Sequence, residues 1–403
     1  MSNDRPASVI GFAPHPWDDG PWMNRQNLLA GLAARGWRVV YSEGAPDIWQ
    51  RGTAAWNNAA LSSHIELLDG VQVHRKGRFL PRWRGNRHWD ALALRHHANQ
   101  LRRAAAPTLD TPLIAILFHP MFESYLRFLR ADIVAFHVYD LYAKMSAWSS
   151  ADQLQFERLV ARADLITAAT DAMIRSLPPA GADRATLLPN GGNYVMFADR
   201  NDLPCPADLA DIAHPRIGNL GTINRKMDLS LIAEIARRRP DWQWVLVGKV
   251  EEDEFVTDPE RARGLSDCRR LPNVHFLGAR DRLTIPAYMN HMDVNTVCYR
   301  IREDDYVVAG YPVKLNEYLA TGKPVVASPQ EATVSYFREV AAVVSGPDQW
   351  VDALAAAIDG RGVGGAAQRQ AVARANDWSL RIAKLEAMLL QLIAQRQFKA
   401  RAA

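Results

Sequence analysis

Lys226, Lys314 and Glu317 are spaced to hold a phosphorylated ligand. The last two lie between Pro312 and Gly322. A proline suits a helix's first turn, where its missing N–H costs nothing, and a glycine suits the left-handed stop. Lys314 then falls in the first turn, where a cation meets the positive end of the helix dipole and is disfavoured by about 0.3–1 kcal/mol. A diphosphate at the helix start reverses that penalty, because it accepts hydrogen bonds from the free backbone N–H groups and from Lys314 together. On this ground, removing Lys314 should leave the ligand-free protein no less stable. Glu317, three positions on and on the same face, is placed to accept from two ribose hydroxyls. The bland reading is an exposed Lys314–Glu317 pair worth about a few tenths of a kcal/mol. Arg225 and Lys226 precede Asp228, a helix N-cap by type, and would reach the same phosphates from the opposite wall. Gly218 and Gly221 are expected where a backbone comes too close to a phosphate to carry a side chain.

A second set of candidates could move a proton or hold an acceptor. His15, Asp18, Asp19 and Gly20 follow the first apolar run, and His137 and Asp140 end another. Ligands of parallel sheets bind at such carboxyl ends. Asp19 and His137 lead as bases, with turn capping as the bland alternative for each. The acid clusters Asp18–Asp19, Glu251–Glu254 and Glu303–Asp305 lack diagnostic ligand spacing, so no metal is expected. Cys205, Cys268 and Cys298 show no CxxC spacing and read as reduced packing residues.

Two α/β halves must position these groups. The length of 403 residues suits two domains, and 48% hydrophobic against 23% charged residues is ordinary globular composition. Val9–Ala13, a helical pattern through Leu28, Leu29, Leu32 and Ala33, a stop at Gly36, and then Val39–Tyr41 spell a βαβ unit. The same grammar returns at Ile217–Leu220, the helix face Leu229, Ile232, Ala233, Ile235 and Ala236, and the strand Trp244–Val247. Further strands are expected at 113–118, 133–137, 165–168, 274–277, 294–298, 324–327 and 341–344, as apolar runs covered on both faces. A Pro- and Asp-rich stretch places the linker at 201–214, between domains at 1–200 and 215–378. A helical stripe through Ile382, Leu385, Leu389, Leu390 and Ile393 fills 379–403.

Several motifs of the second half resemble the GT-B glycosyltransferases of the family-4-like group, the bacterial surface-polysaccharide type. They are Ile217–Asp228, Pro240-Asp241-Trp242, Leu246-Val247-Gly248, Pro272 through Gly278, Ile285–Tyr288, and Pro312 through Val326. Arg25-Gln26, Ala163–Leu165 and Pro189–Gly191 with Phe197 agree more loosely in the first half. The resemblance implies two Rossmann-like, doubly wound domains facing a cleft, with the terminal helix crossing back to the first. It implies transfer of a sugar, UDP-sugar favoured, from a nucleoside diphosphate sugar to a glycan or lipid-linked acceptor in surface polysaccharide synthesis, with no cofactor. With it the expected site has donor contacts at Gly20, Gly218, Gly221, Arg225, Lys226, Gly248, Phe276, Val313, Lys314 and Glu317, while the strand-end positions give the catalytic candidates Asp19 and His137, beside Lys226, and acceptor contacts at His15, Asp18 and Asp140. The family has a glutamate eight positions before Glu317, where this chain has Ala309. Stereochemistry is therefore not transferred, and a catalytically impaired nucleotide-sugar-binding homologue stays open. A nucleotide-sugar epimerase of the same fold is the alternative enzyme. A nicotinamide enzyme is disfavoured, since Phe12–Pro16 and the second half lack GxGxxG.

The basicity of the chain is local. Between Arg75 and Arg103 nine Lys or Arg stand against one acid, which leaves the rest of a +4 chain net acidic. Interleaved Phe79, Leu80, Trp83 and Trp89 make this window, with Arg82, Arg84 and Arg87, an expected acceptor or anionic-membrane surface. A nucleic-acid patch is a weaker rival, having no motif around it. No run of about 18 apolar residues exists, so the expectation is a cytoplasmic protein at the inner face of the membrane.

Overall fold

The computed structural model describes residues 6–18, 20, 22–108, 111–145, 148–198, 200, 202–302 and 305–402, with side chains as far as Phe398. Asp19, expected as a base, and Glu303 and Asp304 lie outside the described residues. The chain forms two compact units, one of residues up to Pro189 plus Arg381–Ala403, the other Asn190–Leu380.

The first unit holds β1 (Ser8–Phe12), β2 (Arg38–Ser42), β3 (His64–Leu68), β4 (Val71–Arg75), β5 (Leu113–Leu117), β6 (Ile133–Val138), β7 (Leu165–Ala168) and β8 (Ala185–Leu187). They form one sheet in the order β3-β4-β2-β1-β5-β6-β7-β8. Every pair is parallel except β3 with β4. Strands β1, β5 and β6 are buried along their whole length, which is why they read as unbroken apolar runs. The β3–β4 hairpin turns on Asp69 and Gly70, both at positive φ (52° and 78°), the backbone of a tight primed turn.

The second unit holds β9 (Arg216–Leu220), β10 (Gln243–Val247), β11 (Val274–Gly278), β12 (Val294–Val297), β13 (Val325–Ala327) and β14 (Ala342–Val343). Their order is β11-β10-β9-β12-β13-β14, and all pairs are parallel. The helix Leu229–Arg238 starts at Asp228, whose carboxylate accepts from the Leu231 N–H at 3.0 Å. It buries the expected face, Leu229, Ile232, Ala233, Ile235 and Ala236, in a core with Trp242, Trp244 and Trp350.

The linker differs from the sequence reading. The expected linker 201–214 carries the helix Ala207–Ala210, and its Leu209 and Ile212 sit in the second unit's core. Asp208 is clamped by Arg280 and by the Tyr288 hydroxyl at 2.7 Å. Prolines and acids here serve packing and ion pairs, not a free connector. The helix Trp378–Ala402 belongs to the first unit from Arg381 onward. Ile382 fills the space above Gly31, where a Cβ would stand 2.2 Å from it. Glu386 accepts from Trp37 Nε1 (2.8 Å) and Arg35 (3.0 Å), and Arg396 reaches Asp164 at 2.9 Å.

Candidate functional site

In the second sheet β9 is where the chain's winding reverses, with β10 on one side and β12 on the other. The carboxyl ends of strands at such a switch point form the natural crevice of an open α/β sheet. Gly221 follows β9 at φ 117° and Gly248 follows β10 at φ 159°. A Cβ on Gly248 would lie 2.0 Å from the Gly221 carbonyl oxygen, so the two turns touch through bare backbone. Lys314 closes the group. Its Nζ stands 3.6 Å from where a Gly221 Cβ would be, 3.1 Å from Asn219 Oδ1, and 5.1 Å from the ring centre of Tyr299. Asn219 is buried and its Nδ2 has no hydrogen-bond partner, which leaves a donor beside the ammonium.

The helix Val313–Ala320 begins here, with Pro312 at its N-cap and no side chain capping its first N–H groups. Gly322 stops it at φ 74°. The helix start, Lys314 and the two glycine turns thus make a concave wall of donors, the arrangement that binds an anion. Arg225 and Lys226 stand on the loop between β9 and the helix Leu229–Arg238. Both cations lie over the Tyr306 ring, at 5.2 and 5.1 Å, and Arg225 donates to its hydroxyl at 3.2 Å. Glu317 is half-buried. Burial pushes its carboxyl up to about 7, opposed by Arg282 and Lys314. Among the described residues no ion pair joins Lys314 to Glu317, so the bland exposed pair is not what the fold builds. Phe276 sits half-buried in β11, under Arg269 at 5.9 Å.

Two expectations for this unit need correction. Gly218 is inside β9, and a Cβ there would meet Met292 at 2.5 Å. Its smallness serves sheet packing, not approach to a ligand. Lys314 is held by Asn219 and Tyr299, so removing it leaves a buried acceptor unpaired at a cost of about 1–3 kcal/mol, which outweighs the dipole penalty. Ala309 is buried on the short turn Tyr306–Ala309 and cannot substitute for the family's glutamate.

The first unit's candidates scatter. His137 lies inside β6 with its Nδ1 2.9 Å from Thr167 Oγ1 and its ring edge-on to Phe118. Burial pushes it down to about 4, so it is a neutral interior residue and not a base at the strand end. Asp18 is taken by Arg75 in a two-bond pair at 3.0 Å, which holds its carboxyl below the usual range, burial opposing. His15 offers its backbone carbonyl to the Tyr41 hydroxyl. Asp140 is half-buried just after β6, and Gly20 stands in open space at φ 70°. His119, which sequence reasoning passed over, follows β5. Its Nδ1 accepts from the Met121 N–H at 3.1 Å, its ring packs on Tyr142 at 5.1 Å, and burial pushes it down to about 4. Its signal was the same as that of His15: a histidine just after a strand.

Part of the basic window is neutralised by ion pairs. Arg82 is buried in a double hydrogen bond to Asp90 (2.8 and 3.0 Å), so it is no surface cation. Arg84 pairs with Asp47 at 2.9 Å and Lys76 with Glu43 at 3.0 Å. Among the described residues Arg78, Arg87, Arg95, Arg102 and Arg103 form no ion pair. Beside them Trp49, Leu61, Phe79 and Trp83 are exposed. Among the described residues no group of three or more His, Cys, Asp or Glu side chains could hold a metal ion, and no helix is long and apolar enough to cross a membrane.

Residues 214–360 match the family described as glycosyl transferases group 1. Over 229 residues the chain is 29% identical to a Bacillus subtilis (strain 168) protein whose name, teichuronic acid biosynthesis glycosyltransferase TuaH, is itself provisional. That match spans 55% of this chain and 55% of the relative. Among solved structures, HepE of Anabaena with UDP and glucose superposes at a TM-score of 0.69, with 14% identity, covering 96% of this chain and 99% of that one. Sucrose-phosphate synthase of Thermosynechococcus elongatus gives 0.69 at 18% identity, covering 96% and 100%. An E. coli trehalose-6-phosphate enzyme bound with UDP-2-fluoro glucose gives 0.67 at 12%, covering 95% and 99%. The chain thus has the GT-B fold of these solved structures, and its second unit carries a domain that matches the glycosyl transferases group 1 family.

Proposed function

We propose that this protein transfers a hexosyl-type sugar from a nucleoside diphosphate sugar, a UDP-sugar before others, to a glycan or lipid-linked acceptor used in surface polysaccharide synthesis, without metal or other cofactor. The observation that carries the reading is the meeting of Lys314, Gly221 and Gly248 at the carboxyl end of β9, beside an uncapped helix start with Glu317 one turn on. In this reading the diphosphate takes the place of a missing cap and lies against the Lys314 ammonium, with Arg225 and Lys226 neutralising the leaving group as charge develops on it. Glu317 accepts from the ribose. The UDP and UDP-sugar complexes among the structural relatives support the choice of uridine. The open cations Arg78 and Arg87, with Trp49, Leu61, Phe79 and Trp83, support peripheral contact with an anionic membrane at its inner face, since amphipathic rings and cations together hold such a surface. Nucleic acid is not a partner in this reading. Calorimetry of the full chain in chelator should show UDP binding more tightly than GDP or ADP, and a donor-hydrolysis screen should then identify the sugar. No nucleotide binding, or binding only with a divalent ion, would overturn the proposal. Binding without turnover on any sugar would favour the impaired homologue that Ala309 suggests.

A further inference from the structure

A cavity of about 170 Å³ lies in the first unit, outside every residue considered above for catalysis. It is well above the roughly 10–15 Å³ that one water needs. Polar groups of His74, Lys76, His96, Gln100 and the serines 62 and 63 line it together with Ala45 and Pro46. Its lip is apolar, formed by Phe79 and Leu80.

The polarity of the wall follows from one chain of hydrogen bonds. The Ala45 N–H donates to the Tyr125 hydroxyl at 2.7 Å. That hydroxyl lies 3.2 Å from His97 Nδ1, and His97 Nε2 lies 3.3 Å from His74 Nδ1 and 3.4 Å from the Ser42 hydroxyl. At the end of this chain His74 Nε2 is buried with no hydrogen-bond partner. Burial keeps His74 and His97 neutral, His74 being pushed down to about 4 against the opposing influence of Gln100. Lys76 adds a charge. Its pair with Glu43 at 3.0 Å uses one of an ammonium's three donors. The ammonium's remaining donors and the hydroxyls of Ser62 and Ser63 can meet an oxyanion in the cavity.

The lip is built to stay in place. A Cβ on Gly77 would stand 2.4 Å from the backbone of Ser62 and Ser63, so the two loops interlock there. Arg78 and Phe79 donate their N–H groups to the carbonyls of Ala60 and Leu61 at 2.8 and 2.9 Å. Leu80 is held at φ 55°, an uncommon backbone for a bulky side chain. This pairing joins Leu61, 64% exposed, to Phe79, 59% exposed, which itself lines the cavity.

We propose that the cavity receives the phosphate headgroup of a lipid-linked acceptor, with the lipid's hydrocarbon lying over Leu61 and Phe79. The inference rests on the reading above that the acceptor is lipid-linked. A donor-lined hole with an apolar lip fits a phosphorylated amphiphile better than a free sugar, which needs no such lip, or a flat anionic bilayer, which needs no hole.

Co-sedimentation of the full chain with three phosphatidylcholine vesicles tests it: plain, containing a polyprenyl phosphate, and containing phosphatidylglycerol matched in charge. The polyprenyl phosphate vesicles should bind at least tenfold more protein than the matched ones, and Lys76→Met and Ser63→Ala should each remove most of that excess. Leu61→Ser with Phe79→Ser should weaken it too. Equal sedimentation on both charged vesicles, or an excess untouched by Lys76→Met and Ser63→Ala, would overturn the site. Loss of the excess in millimolar inorganic phosphate, with that ion protecting the protein equally well, would reassign the cavity to free phosphate and overturn the lipid. UDP binding by the same wild-type preparation reads the donor proposal separately, so failure of one leaves the other to be judged alone.

Discussion

A carboxylic acid kept half-protonated near neutral pH is a costly thing to place beside a lysine, and Glu317 is in that position. Its ordinary value of 4.5 is raised to about 7 chiefly by burial. Ribose hydroxyls donate best to the ionised form, so nucleotide binding should pull the carboxyl down and release a proton. UDP affinity is therefore expected to climb between pH 6 and pH 8 and level off above the free protein's value. The nucleotide's own terminal phosphate also titrates, near 6, so the readout is the difference between wild type and Glu317→Gln. In the variant the climb should be shallower by up to about tenfold across the window. The stability sign is opposite. A raised value means that the folded state holds a proton the unfolded state has lost, so stability from the protonated acid is complete below 4.5 and lost as pH rises through 7. Glu317→Gln should accordingly be near neutral in melting at pH 4.5 and stabilising by about 1–2 kcal/mol at pH 8. Identical pH profiles for UDP in the two proteins would exclude Glu317 from the nucleotide site.

At the scale of elements, the site is a contact between two turns rather than a set of side chains. The end of β9 and the end of β10 come together because neither Gly221 nor Gly248 carries a Cβ, and the start of the helix Val313–Ala320 is packed behind them by the Tyr318 hydroxyl, which takes the Leu220 N–H at 2.8 Å. Gly248→Ala places a methyl 2.0 Å from a carbonyl oxygen, where backbone must move. The expected outcome is a loss of about 2–4 kcal/mol in unfolding free energy together with at least tenfold weaker UDP binding, read by denaturant titration and calorimetry. Stability and affinity at wild-type levels would show that the two turns are free to separate. The sequence announced glycines at these places, but it gave Gly218 the same standing. Only the strand register shows that Gly218 faces Met292 in the sheet while Gly221 faces the lysine.

Across the whole molecule, three histidines held at about 4 make the fold acid-sensitive. His74, His119 and His137 are all lowered mainly by burial. The unfolded chain takes up their protons near 6.5 while the folded chain does not, so their contribution is complete above 6.5 and is lost as pH falls toward 4. Each makes stability fall by up to about 1.4 kcal/mol per pH unit within that window. The melting temperature should therefore drop steeply from pH 6.5 to pH 5, and His137→Gln should flatten part of that drop. A flat profile over this range would mean that the histidines are solvated. The same window sets the working conditions for the vesicle experiment, which belongs above pH 7, where His74 stays neutral.

The sequence by itself determined the doubly wound architecture, the positions of most buried strands and the stop at Gly322, and it singled out Lys226, Lys314 and Glu317 as candidates. These follow from local rules: apolar runs need cover on both faces, helices need starts and stops, and cations near a helix start need a reason. It left the β3–β4 hairpin unread, because exposed β3 alternates weakly, although Asp69-Gly70 was a usable turn signal. What only tertiary structure decided were the partners of charged and polar groups. Arg82 looked like the centre of a basic surface until Asp90 was found against it, His137 looked like a strand-end base until the sheet closed over it, and Lys314 looked unsupported until Asn219 reached it from β9. Burial and ion pairing depend on groups distant in sequence or on the far side of a sheet. No local spacing encodes them, and they decide which titratable side chain is structural and which is left to meet a ligand.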